Sequence, residues 1–263
     1  MFFSGSTYPS LNKETSNKIV LLPLGAIEQH GLHLPVSTDT DIVTAVATYA
    51  ESKLPDDILL CPTLAYGSSH HHQAFGGTLS VSTQLYTQLV IEIVESVIKS
   101  GFTKIILLNG HGGNITPLKQ ALSVLSNRYD ATINPTIALA TYWELAGKTF
   151  AGELPMQSPA LSHACEYETS LMLHLFPGNV LMEKVQRAAR PESNGYIAWE
   201  DDEPYRGVTV VKQTEFVSGN GCSGEPQLAT KEKGQYLFEH VTKALLDFIG
   251  SFKSWPEIKK LKP

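Results

Sequence analysis

The chain has 263 residues, 42% hydrophobic and 17% charged, a balance that suits a globular fold with a full core. Its 20 Lys and Arg against 26 Asp and Glu leave a formal charge of −6 without a basic stripe, which argues against nucleic acid as the main partner. No segment reaches the roughly 18 consecutive apolar residues of a membrane span, so no membrane partner is expected.

In chain order, the opening stretch MFFSGSTYPSLNKETSNK lacks the charged and apolar regions of a secretory signal. Cys61, Cys165 and Cys222 are dispersed and odd in number, which suits a reducing compartment. A cytoplasmic setting is therefore expected. Ile19–Leu22 is a β-branched, apolar run that reads as a buried strand ending at Pro23-Leu24-Gly25. Apolar residues at 42, 43, 46, 47, 50 and 54 predict a helix over Asp41–Leu54. Ile58–Pro62 reads as a strand, and Tyr66–Thr78 as a loop rich in Gly, Ser and His. A long amphipathic helix capped by Ser82 or Thr83 runs to about Ser100 and stops at Gly101.

Lys104–Leu108 predicts the next buried strand, leading into Asn109-Gly110-His111-Gly112-Gly113-Asn114 and a helix over about 116–126. A strand follows within Pro135–Tyr142. The rest reads as a loop over 144–162, a helix over His163–Phe176, a short strand at Val208–Val211 and a last helix over about Thr230–Phe248. The basic tail with Lys253, Lys259, Lys260 and Lys262 reads as a solvated end. The alternation predicts an α/β fold, a layered and mostly parallel sheet with helices on both faces, in a single domain over 1–263. Ligands in such sheets bind beyond the carboxyl ends of the strands, where the Glu28-Gln29-His30 and NGHGGN loops fall.

Glu28 and His30 are two apart on extended backbone and aim to one side, and Asp39 follows a Gly- and Pro-containing loop that folds back toward them. Imidazole and carboxylates converging on one point suit Zn²⁺ or Mn²⁺. The plainer alternative makes Asp39 or Asp41 a helix-starting residue. His111 lies in a glycine-flanked turn after a strand; a phosphate cradle is the alternative, but the P-loop Lys and the G-x-G-x-x-G spacing are absent. In the cluster His163-Ala-Cys-Glu166-Tyr-Glu168-Thr169-Ser170, one glutamate reads as a metal ligand and His163 as a proton carrier. The alternative leaves both glutamates as first-turn charges favoured by the helix dipole. His70-His71-His72 point different ways, so at most one or two of them face a common site, with a role at its mouth. Neither Ser69 nor Ser170 sits in a G-x-S-x-G elbow, which weighs against a serine hydrolase.

The motifs PLGAIEQHG, His33-Leu34-Pro35, Thr38-Asp39, Gly67-x-Ser69-x-x-His72-x-x-Phe75-x-Gly77-Thr78, NGH with Asn114, Tyr142-Trp143 and His163-Ala164 with Glu168-Thr169-Ser170 together resemble the creatininase (creatinine amidohydrolase) family over nearly the whole chain. The resemblance implies a cytoplasmic hydrolase with two divalent metal ions (Zn, Mn or Fe), cleaving a C–N amide bond of a small cyclic amide or formamide. It implies Glu28, His30, Asp39 and His111 as metal ligands, with Asp39 bridging, and His163 as the catalytic proton carrier. Ser69, His72 and Trp143 would contact substrate, and the members are usually oligomers, often hexamers. Creatininase itself carries an acidic residue where Gly113 stands, and a Trp-Asp pair where this chain has Ser158–Ser162. The G-G form is more similar to other branches, which include a formylamino-pyrimidine deformylase and a cofactor-precursor peptidase. With Gly113 unable to supply a ligand, Glu168 rather than Glu166 is expected to complete the metal shell and to be essential for activity. A non-catalytic, metal-binding assembly protein on the same fold is the remaining alternative.

Overall fold

The computed structural model describes residues 1–129, 133–147, 156–158, 161–187 and 211–256. Its centre is a sheet of four parallel strands in the order β2-β1-β3-β4. These are β1 (Ile19–Leu24), β2 (Ile58–Leu60), β3 (Lys104–Asn109) and β4 (Thr136–Thr141). All six residues of β1 are buried, as expected of a parallel strand covered on both faces. Alternate side chains go to opposite layers. Ile19 and Leu21 of β1, with Ile106 and Leu108 of β3, face α2 (Thr38–Lys53), α6 (Glu166–Leu175) and α7 (Lys231–Ser254). Val20, Leu22, Ile105 and Leu107 face α3 (Thr83–Lys99) and α4 (Ile115–Tyr129). Short helices among the described residues include α1 (Tyr8–Leu11) and α5 (Tyr142–Leu145).

This topology positions the site. The chain leaves β1 toward β2 on one side and later enters β3 on the other, so the connections diverge between the adjacent carboxyl ends of β1 and β3. Such a switch point opens a crevice. The Glu28–His30 segment emerges from one side of it and His111 from the other.

Several element boundaries differ from the sequence reading. The helix α2 begins at Thr38, so Asp39 sits in its first turn rather than before it. Residues His70–Phe75 of the predicted loop form a 3-10 turn, and α7 runs on to Ser254. The largest correction concerns His163, which the periodicity placed on a helix; α6 starts only at Glu166. Ala164 has a φ of 52°, and Cys165 is the extended N-cap, so His163 lies in a turn ahead of the helix. The predicted strand at 208–211 falls outside the described residues except for Val211, which is exposed and irregular. Lys259, Lys260 and Lys262 also fall outside them.

Candidate metal centre

Five of the expected residues meet at the crevice. Glu28, His30, Asp39, His111 and Glu168 are all buried. Asp39 stands in the middle: its Oδ1 is 3.2 Å from His30 Nε2 and its Oδ2 is 2.9 Å from His111 Nδ1. His30 Nε2 also lies 3.8 Å from Glu168 Oε1, and His111 Nε2 lies 3.3 Å from Glu28 Oε2.

The local chain explains these orientations. His30 Nδ1 donates to the carbonyl of Glu28 at 3.1 Å, which leaves Nε2 facing inward. His111 is held by its neighbours in NGHGGN: Asn109 Oδ1 accepts from the His111 N–H at 3.2 Å, and Asn109 Nδ2 donates to the His111 carbonyl at 2.9 Å. His111 Nε2 donates to the Ser68 carbonyl at 3.1 Å, with Ser69 Oγ at the same distance. Asn114 ties the two sides together, accepting from Ser68 N–H and donating to the Gly25 carbonyl. At Gly113 a Cβ would collide with the Ser68 carbonyl and with His111 Nε2, and the space beyond is taken by His71. His71 stacks nearly parallel to His111, with ring centroids 5.9 Å apart.

Charge in this pocket is out of balance. Glu28 Oε2, His30 Nε2 and Asp39 Oδ2 are buried without a hydrogen-bond partner. Each such atom costs about 1–3 kcal/mol when left unsatisfied. Burial pushes Glu28 up to about 7, with the Asp39 charge adding to it and His111 opposing. Against burial, the Glu28 and Asp39 carboxylates raise His111 to about 9, and Asp39 and Glu168 hold His30 well above the ordinary imidazole value. Burial would raise Asp39 too, but His30 and His111 hold it well below the usual carboxylate range. The pocket therefore draws positive charge to itself. Two donor atoms on one divalent ion lie roughly 3.0–3.4 Å apart when each bond is about 2.1 Å. The separations of Asp39 Oδ2 from His111 Nδ1 and of Asp39 Oδ1 from His30 Nε2 fall in or near that range. Four overlapping groups among the described residues could each hold an ion: Glu28, His30 and Asp39; His30, His163 and Glu168; Glu28, His72 and His163; and Glu28, His71 and His111. The donor set fits metal binding.

The creatinine amidohydrolase family profile matches residues 5–249. The chain belongs to the creatininase family. A mycofactocin precursor peptide peptidase of Mycobacterium tuberculosis is 33% identical over 243 residues, covering 89% of this chain and 85% of its own. The creatinine amidohydrolase of Pseudomonas putida is 25% identical over 242 residues, covering 88% of each. A solved structure described as "Creatininase Mn" superimposes with a TM-score of 0.78 at 23% identity, covering 95% of this chain and 97% of that one. The protein is thus a creatininase-family hydrolase, and the parallel sheet with helices on both faces is the creatininase fold.

The two glutamates of this creatininase-family chain part company. Glu168 Oε1 faces His30, while its Oε2 accepts from the Cys165 N–H at 3.4 Å, so it borders the cluster and caps α6 together. Glu166 points elsewhere: its carboxylate accepts from the Gln157 and Ser158 N–H groups and pairs with Lys233. His163 Nδ1 is 3.4 Å from Glu28 Oε1, and its ring packs between those of His30 and His72, at 4.3 and 4.0 Å. Of the three residues expected against substrate, Ser69 and His72 are buried beside the cluster. Trp143 is half-buried and packs edge-on against Tyr142, 4.9 Å between centroids. Tyr142 lies close enough to the carboxylates that burial first, then Glu168 and Asp39, raise its phenol well above 10. Sequence reasoning missed Gln29 and Thr214. Gln29 stands inside the Glu28–His30 motif, between two residues of metal-ligand type, and Thr214 carries no local signal.

Proposed function

We propose that this chain is a two-metal amide hydrolase. Glu28, Asp39 and His111 would hold one ion, and His30, Asp39 and Glu168 the second, with Asp39 offering one oxygen to each. When bound, the ions would activate a water as nucleophile and polarise the amide carbonyl. The chain's own residues do the rest. Ser68 and Ser69 fix the His111 ring, while Glu168 spans from the helix cap to His30. His163 Nδ1, 3.4 Å from Glu28 Oε1, would take a proton from the attacking water and pass it to the departing amide nitrogen. The observation that carries this reading is the convergence of three orphaned buried atoms, Glu28 Oε2, His30 Nε2 and Asp39 Oδ2, in one pocket.

The relative at 33% identity acts on a precursor peptide, and the creatinine-hydrolysing one stands at 25%. That difference, together with Gly113, favours an amide bond in a peptide over creatinine; a small formamide is the second substrate class, from the same-family resemblance. The metal identity (Zn, Mn or Fe), a homo-oligomeric assembly and a cytoplasmic setting belong to the same proposal. The test pairs elemental analysis of gently purified protein with a panel of short peptides, formamides and creatinine. About two transition-metal ions per chain are expected, with turnover of a peptide or formamide well above that of creatinine. Metal-free protein that gains no activity on metal addition would leave only the non-catalytic assembly reading.

A further inference from the structure

The side chain of Gln29 lies between two histidines that both face Glu28. Its orientation is set by backbone. Gln29 Oε1 accepts from the Gly31 N–H at 2.9 Å, and Nε2 donates to the Gly221 carbonyl at 2.9 Å. Turning the amide over would break the first bond and set oxygen against oxygen at the second. Space is tight as well: Gly221 has a φ of +81°, and a Cβ there would overlap the Gln29 amide. A primary amide nitrogen has two hydrogens. One is committed to Gly221, and the other has its shortest partner in His72 Nδ1 at 2.7 Å. His72 Nδ1 is therefore an acceptor, and the Thr214 hydroxyl at 3.0 Å serves as a second donor to it. The neutral ring then carries its proton on Nε2, which faces Glu28 Oε1 at 3.4 Å.

His163 is held from its other end. Its Nε2 lies 2.7 Å from the Gln29 backbone carbonyl, which can only accept, so Nε2 carries the proton here too. The 3.1 Å approach of Gln29 Nε2 to this atom has no hydrogen left to serve it. His163 Nδ1, 3.4 Å from the same Glu28 Oε1, keeps its lone pair.

We propose that Gln29 is a positioning residue that holds both rings as Nε2–H tautomers, so that His72 presents a proton to Glu28 while His163 presents a lone pair. Two histidines at the same distance from one carboxylate oxygen are thereby given opposite tasks. His72 turns its Nε2–H toward Glu28, 3.4 Å away, and in that form cannot offer Nε2 to a metal. Of these two rings only His163 has a free ring nitrogen at the cluster, able to take up a proton and pass it to a leaving nitrogen. The assignment rests on the hydrolase reading for the use of His163, but not for the tautomers themselves.

The test is long-range ¹H–¹⁵N correlation spectroscopy on the full-length, zinc-loaded protein labelled with [¹⁵N]histidine, the two rings identified by His72→Gln and His163→Gln. Both rings are expected as Nε2–H tautomers. In Gln29→Glu the carboxylate can only accept, so His72 should move to the Nδ1–H form, with kcat falling about 10–100-fold as for other groups that orient a metal site. His72 found as Nδ1–H in the unmodified protein, or unchanged in a folded Gln29→Glu, overturns the proposal. If Gln29→Glu does not fold, Gly221→Ala displaces the same amide and should deplete the Nε2–H form of His72; an unchanged ring overturns it equally. The expected tautomers without turnover of any amide would sink the hydrolase reading and leave this one standing. Amide turnover with His72 as Nδ1–H would do the reverse.

Discussion

Glu166 and Glu168 are two residues apart in one helical turn, both buried, and their surroundings could hardly differ more. Glu166 is saturated: two backbone N–H groups and the Lys233 ammonium satisfy its carboxylate, and against burial they hold its pKa below the ordinary value. Glu168 joins a pocket with too few positive charges and too many lone pairs, where His30 Nε2 has no partner. Burial alone marks neither one. What separates a carboxylate that holds the fold from one that serves chemistry is whether its neighbours already neutralise it.

The sharpest way to break that distinction is to remove the carboxylate shared by both halves of the pocket. Asp39→Asn takes one charged oxygen from His30 and one from His111, so metal content should fall to near zero and amide turnover to background. Full metal content in a folded Asp39→Asn would show that the cluster is not the metal centre. A smaller effect is expected from Glu168→Gln, which leaves Glu28, Asp39 and His111 intact. Elemental analysis should find about one ion per chain instead of two, with activity abolished. The amide can still accept from the Cys165 N–H, so the thermal midpoint of metal-free protein should hardly move. His163→Gln comes next: kcat should drop about 10²–10⁴-fold while both ions stay bound. Loss of metal in that variant would make His163 a ligand rather than a proton carrier.

Much of this contrast was legible before any coordinates. The strand-then-motif order put Glu28 and His111 at adjacent strand ends, because buried β-branched runs and glycine turns are local signals. The expectation that Glu168 rather than Glu166 borders the cluster came from the resemblance to the family, while the predicted helix over His163–Phe176 wrongly took in His163. That error has a definite cause: a left-handed Ala164 is invisible to periodicity, because alanine is an ordinary helix former and nothing in its side chain marks the turn. The role of Glu166 depends on Lys233, 67 residues away, and that of Gln29 on Gly221, 192 residues away. Pairings at such separation leave no pattern in one sequence.

The smallest effect is expected at the saturated end of the comparison, and there it should appear as stability alone. Glu166→Gln leaves Lys233 facing a neutral amide in a site where the glutamate side chain is fully buried. Removing the paired carboxylate costs about 2–3 kcal/mol, because the Lys233 ammonium keeps its desolvation penalty with only the Leu228 carbonyl, at 2.7 Å, and Gln157 Oε1, at 3.4 Å, to offset it. Metal content and kcat per folded molecule should not change. The sign with pH follows from the direction of the shift. The carboxylate is held below its unfolded pKa, so its contribution is complete above that value and fades as pH falls through the folded one. Denaturant midpoints of Glu166→Gln and the unmodified protein should therefore differ most at neutral pH and converge as pH falls through the lowered folded-state value. Lys233→Met in the Glu166→Gln background should recover part of the loss, since it removes the charge left without its carboxylate partner. A Glu166→Gln variant as stable as the unmodified chain but short of one metal ion would exchange the roles of the two glutamates.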